Sequence, residues 1–213
     1  MWQAALLCAI AGYVDALGYL KLGSVFAANM TGNTVLLAIV LAEGAWRRTA
    51  TYALTLAAFF AGALASCLLR RALPRADWLP LLAQAALLLF AAFWPLDAAE
   101  ELAVLAVGMG LQGAGLTQFD GTSLNTVVVT ATICRLASGL VDGFWPPRRA
   151  AEATAPAAPR LIFVVTWFSY GAGAALEVAV FDGLRVPLVV PACLLVFLAG
   201  WLASARARQA PGA

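Results

Sequence analysis

Asn29-Met30-Thr31-Gly32-Asn33 sits inside a run of residues otherwise suited to lipid, Val25-Phe26-Ala27-Ala28 before it and Val35-Leu36-Leu37-Ala38-Ile39-Val40-Leu41 soon after. Amides, a hydroxyl and a glycine cost free energy in hydrocarbon unless they meet partners or a wet cavity. Asn29, Thr31 and Asn33 alternate, and residues two apart on a regular helix lie about 200° apart, so they cannot share one face. Gly32 between them predicts a local break whose freed amides and carbonyls line a site, as in discontinuous transporter helices. The plainer alternative is a polar stripe that glues two helices together.

The surrounding composition belongs to a membrane protein. Apolar residues make up 63%, charged residues 11%, and the mean hydropathy is +0.90, outside the range of a soluble domain. Apolar runs of the length needed to cross hydrocarbon, roughly 20 residues, predict an all-α, polytopic transmembrane helix bundle. The expected spans are about 3–20, 26–43, 50–70, 79–95, 101–117, 124–142, 161–180 and 187–203. That makes eight, or seven if one is re-entrant, in a single membrane domain covering residues 1–213. Trp2, Trp46, Trp78, Trp94, Trp145 and Trp201 fall at span ends, where the amphipathic indole is most stable. The first run contains Asp15 and glycines and follows no basic segment, so it reads as a transmembrane helix rather than a cleaved signal.

An ungapped offset of 99 residues superposes Ser24, Thr31, Leu41, Gly44 and Trp46 on Ser123, Thr130, Leu140, Gly143 and Trp145. Further on, Thr55 and Ala61-Gly62-Ala63 match Thr166 and Ala172-Gly173-Ala174. This predicts two internal repeats, about 1–95 and 99–203, joined by a cytoplasmic linker at 146–160. Four spans in each repeat would make the halves parallel. Eight spans put both termini on one side with Arg47, Arg48, Arg148, Arg149, Arg160, Arg206 and Arg208, and an excess of arginine marks the cytoplasm. Arg70, Arg71 and Arg75 violate that arrangement.

Histidine is absent, which removes Ser-His-Asp and Cys-His catalysis and zinc-protease motifs. Cys8, Cys67, Cys134 and Cys193 stand singly in apolar runs without metal-ligand or redox spacing. No metal, no cofactor and no enzymatic activity is expected. A net charge of +2 with dispersed arginines gives no nucleic-acid face. Gly108-x-Gly110-x-x-Gly113 copies the letters of a dinucleotide fingerprint but lies in an apolar helix, where it reads as close packing.

Asp15 is the leading candidate for a solute- or ion-binding group. A carboxylate at mid-span costs roughly 2.5–3.5 kcal/mol even on lenient insertion scales. The short Lys21–Ser24 loop brings it near the depth of Asn29, Thr31, Gly32 and Asn33. In the second repeat, Gln112, Asn125 and Thr130 occupy comparable depths without a carboxylate, and Arg135 either neutralises Asp15, attracts an anion or snorkels outward. Glu177 reads as interfacial, and Glu43 and Asp142 as solvated helix ends.

Gly12-Tyr13-Val14-Asp15-Ala16-Leu17, with Val25-Phe26-Ala27-Ala28-Asn29-Met30-Thr31-Gly32-Asn33, resembles the signature of the YoaK-like family of small bacterial integral membrane proteins, a domain of unknown function. The second block departs from the family's frequent Thr-Gly, reading Thr130-Ala131. The resemblance implies a multi-pass protein of the bacterial cytoplasmic membrane, with the lipid bilayer as partner, and brings no substrate. The residues themselves favour a small-solute secondary transporter or channel, the partner being an unidentified solute or ion, over a non-catalytic scaffold. A chain of this size is also compatible with a homodimer that completes a pathway.

Overall fold

The computed structural model describes residues 1–115, 160–181 and 186–209, with short pieces at 118–119, 122–123, 126, 133–134, 137 and 183–184. Among these are seven helices: α1 (Trp2–Lys21), α2 (Met30–Ala42), α3 (Trp46–Ala72), α4 (Leu79–Phe93), α5 (Ala98–Gly115), α6 (Arg160–Phe181) and α7 (Val189–Gln209). Two minimal strands, β1 (Gln118–Phe119) and β2 (Thr122–Ser123), pair antiparallel after α5. The expected sixth span, 124–142, and the linker at 146–160 lie almost wholly outside the described residues.

Local chemistry sets the helix ends. Pro80 occupies the first turn of α4, where its missing N–H does no harm. Asp97 Oδ1 accepts from the amides of Ala99 and Glu100 at 2.9 Å each, while Glu100 Oε2 accepts from Asp97 N at 3.0 Å, a reciprocal cap that starts α5. Four segments, Trp2–Lys21, Trp46–Ala72, Leu161–Val180 and Val189–Arg208, are long and apolar enough to cross a membrane. Their outer faces carry bare apolar groups, with Phe60, Phe168 and Phe197 each more than 60% exposed. Lipid rather than water is the solvent such faces require. The protein is a multi-pass helical membrane protein. Its core gathers Leu7, Ile10, Tyr52, Leu81, Leu88 and Leu105 with the inner faces of α6 and α7.

Close backbone approach fixes the two tightest crossings. A Cβ on Gly12 would strike the carbonyl of Tyr170, and one on Gly173 that of Ala9, where α1 meets α6. Gly62 and Gly110 stand in the same relation to the carbonyls of Val107 and Phe59, where α3 meets α5. Only glycine permits such contact.

Helix directions follow from side-chain contacts, and they depart from alternating spans. Tyr52, in the second turn of α3, donates its hydroxyl to Ser24 O just after α1, at 3.0 Å. The end of α1 and the start of α3 therefore share one end of the bundle, here the Ser24 end. Leu22, Arg47 and Asp97 line one crevice there, so α5 starts at that end too. At the opposite end Arg206, near the end of α7, pairs with Asp77 of the α3–α4 turn at 2.6 Å, and Trp2 packs edge-on against Trp201. The segment 25–42 thus enters and leaves at the Ser24 end, and α2 does not run the length of the bundle. Further, α1 and α5 run antiparallel: Gln112 reaches Leu7 O at 2.9 Å, and a Cβ on Gly18 would lie 3.3 Å from Leu102 Cδ1. The expected spanning role for 26–43 gives way to this geometry, and α1 and α5 run in opposite directions where parallel halves were expected. Arg70, Arg71 and Arg75 join Arg206 at one end, opposite Arg47 and Arg48.

Candidate functional site

The chain turns back into the bundle after α1. Gly23 and Ser24 both adopt positive φ, 94° and 61°, a left-handed pair that reverses direction at little cost for glycine. The segment 25–29 then descends against α1, so close that a Cβ on Gly18 would lie 2.6 Å from Val25 O. A segment that is neither helix nor sheet leaves amides and carbonyls without regular partners, which is costly away from water. Three side chains supply what a sheet would.

Asp15, 2% exposed, accepts through Oδ1 from the amides of Ala28 at 2.6 Å and Asn29 at 3.3 Å. Its Oδ2 accepts from the Tyr170 hydroxyl of α6 at 2.5 Å. All three partners donate, as suits a carboxylate, which only accepts, and the positive end of the α2 dipole lies beside it. Asn33 clamps Phe26 from both sides: its Oδ1 accepts from Phe26 N at 3.0 Å and its Nδ2 donates to Phe26 O at 2.6 Å. Asn29 caps α2 by accepting from Gly32 N at 3.1 Å, the usual role of asparagine at that position. A Cβ on Gly32 would crowd both Asn29 and Phe26.

Four of the five sequence-predicted residues of the first block, Asp15, Asn29, Gly32 and Asn33, meet here. The break lies before Asn29 rather than at Gly32, which is helical. Thr31 is exposed on the outer side of α2 and takes no part. Tyr170 was not expected. A hydroxyl buried at mid-span needs a partner, and that was its only signal in the sequence.

Gln112 stands elsewhere. It donates to Leu7 O and, at 3.1 Å, to Thr126 Oγ1, and it accepts from Gln84 at 2.9 Å. This buried amide chain joins α1, α4 and α5. Asn125, Thr130 and Arg135 lie outside the described residues. Glu177, expected at the interface, is instead fully buried in α6.

Crevices open at both ends of the bundle. One of about 310 Å³ at the Ser24 end is floored by Leu22, Val25 and Tyr52 beneath Arg47 and Arg48. The other, about 800 Å³, opens at the Asp77 end. Asp15 lines neither. The described residues hold no cluster of three or more metal-ligating side chains.

The sequence profile of a family described as "Protein of unknown function (DUF1275)" matches residues 3–201. The chain is 30% identical over 144 residues to the UPF0700 transmembrane protein YoaK of Bacillus subtilis (strain 168). That alignment takes in 62% of this chain and spans 63% of the length of the curated relative. No solved structure matches.

Proposed function

From the premise that this chain belongs to the YoaK-like DUF1275 family, we propose that it is a small-solute secondary transporter whose working part is the re-entrant segment 25–42, held by Asp15. Each repeat contributes three crossing helices, α1, α3 and α4 in the first and α5, α6 and α7 in the second. An odd number of crossings inverts the second repeat relative to the first. The antiparallel course of α1 and α5 and the matched glycine crossings support that reading. Inverted repeats with interrupted helices at the membrane interior are the architecture of many secondary transporters. Among the described residues the Asp77 end carries Arg70, Arg71, Arg75, Arg206 and Arg208, against Lys21, Arg47 and Arg48 at the other. We place that end, and both termini, in the cytoplasm.

The observation that carries the proposal is the use of a membrane-embedded carboxylate to hold two backbone amides of an interrupted span. Such a lock opens when Asp15 exchanges its amide and phenol donors for a proton, a cation or a solute donor. The segment then swings on Gly23 at one end and Gly44, at φ 69°, on the other.

The substrate emerges from comparing solute retention in cells with and without the protein. In proteoliposomes carrying that solute, Asp15→Asn keeps an acceptor for the two amides but cannot exchange a proton, and flux falls at least tenfold. Flux equal to wild type refutes the assignment. A scaffold role is the second reading, favoured by the internal partners of Asp15, Asn29 and Asn33. It requires that Asp15→Asn lower thermal stability in detergent while no solute's movement changes.

A further inference from the structure

The crevice at the Asp77 end changes character along its length. Leu64 and Leu68, 50% and 58% exposed on the outer face of α3, line it towards the bilayer interior with Cys67. Arg70, Arg71 and Arg206 line its rim. Two of these guanidiniums are already anchored: Arg70 donates to Ala114 O at 2.9 Å, and Arg206 to Asp77 Oδ2 at 2.6 Å. Each retains further N–H donors, five being available to every guanidinium. The other carboxylate oxygen, Asp77 Oδ1, is buried and receives no hydrogen bond. Three cations face one anion, and a planar guanidinium matches the oxygens of a phosphate.

An aliphatic wall below a ring of arginines complements an amphiphile lying along a helix, with its charge at the headgroup level. We propose that this crevice binds an anionic phospholipid whose phosphodiester bears a hydroxylated headgroup, as in phosphatidylglycerol. The phosphate lies between Arg70, Arg71 and Arg206, one acyl chain follows Leu64 and Leu68, and a headgroup hydroxyl donates to the exposed part of the Asp77 carboxylate. The site ties the α3–α4 turn to the end of α7 through the lipid as well as through the ion pair. It is independent of the segment held by Asp15, and neither assignment requires the other.

The test is native mass spectrometry of the full chain released from detergent after incubation with lipids of identical acyl chains. Phosphatidylglycerol is retained in preference to phosphatidylcholine and to phosphatidic acid. A cationic side chain near the surface is worth roughly a fivefold change in affinity for anionic lipid, so Arg71→Gln, which breaks no hydrogen bond found here, lowers phosphatidylglycerol occupancy by about that factor. Arg47→Gln with Arg48→Gln, at the other end, leaves it unchanged. Equal retention of phosphatidylcholine or phosphatidic acid overturns the proposal, as does an unaltered occupancy in Arg71→Gln. Displacement of the lipid by millimolar inorganic phosphate also overturns it, by assigning the arginines to a soluble anion.

Discussion

Asp15 does at atomic scale what a neighbouring strand would do in a sheet, and its value to the fold can be measured. Asp15→Ala leaves the amides of Ala28 and Asn29 and the Tyr170 hydroxyl without their acceptor in a buried site, at a cost of about 2–4 kcal/mol. Tyr170→Phe removes one donor to a charged group, worth about 1.5–3 kcal/mol. Thr31→Ala, on the exposed side of α2, changes stability by less than about 0.5 kcal/mol. Thermal unfolding in detergent should therefore rank the variants in that order, and Asp15→Ala matching Thr31→Ala would refute the role assigned to the carboxylate. The first-block residues were legible because each is polar where hydrocarbon is the expected solvent. Tyr170 was not, because 155 residues separate it from Asp15 and no local pattern carries such a pairing. Thr31 was misplaced for the opposite reason: polarity alone does not say which side of a helix a residue occupies.

At the scale of elements, α2 shows what hydropathy measures. The 26–43 stretch is apolar enough to be counted as a span, yet its 13-residue helix starts beside Asp15 within the bundle and finishes at the Ser24 end, where α3 begins. Apolarity reports the solvent of a segment and leaves its direction open. Direction came from Tyr52 reaching Ser24 and from the left-handed turn at Gly23, neither of which hydropathy registers. Labelling tests this directly. In a cysteine-free background, necessary because Cys67, Cys134 and Cys193 are exposed, cysteines at Gly23 and Gly44 should react with a membrane-impermeant thiol reagent from the same side. A cysteine at Arg75 should react only from the other side. Opposite labelling of Gly23 and Gly44 would restore α2 as a full span.

Over the whole molecule, the sequence match pairs Gly62 with Gly173, both of which stand at close helix crossings, while α1 and α5 run antiparallel where parallel halves were expected. In the proposed arrangement α2 is withdrawn from the count, each half has three crossings, and an odd number reverses the second half. In that proposed arrangement Arg70, Arg71 and Arg75 conform to the arginine rule and Arg47 and Arg48 depart from it. Equivalent glycine crossings should respond alike to mutation. Gly12→Ala and Gly62→Ala each drive a methyl group into a backbone carbonyl of the partner helix and should each cost about 1–3 kcal/mol. Gly200→Ala, which meets open space, should be neutral in the same unfolding assay. A neutral result at either crossing would break the proposed equivalence.

The helices differ widely in length. The 27 residues of α3 extend about 40 Å, whereas Trp78 and Trp94, bracketing the 15 residues of α4, stand only about 24 Å apart along that axis. A fluid bilayer of ordinary thickness cannot suit both: α3 must lean, and the lipid around α4 must shorten to bring its headgroups level with the two indoles. Where α4 crosses, the lipid beside it thins, and bilayers of longer acyl chains resist that deformation more strongly.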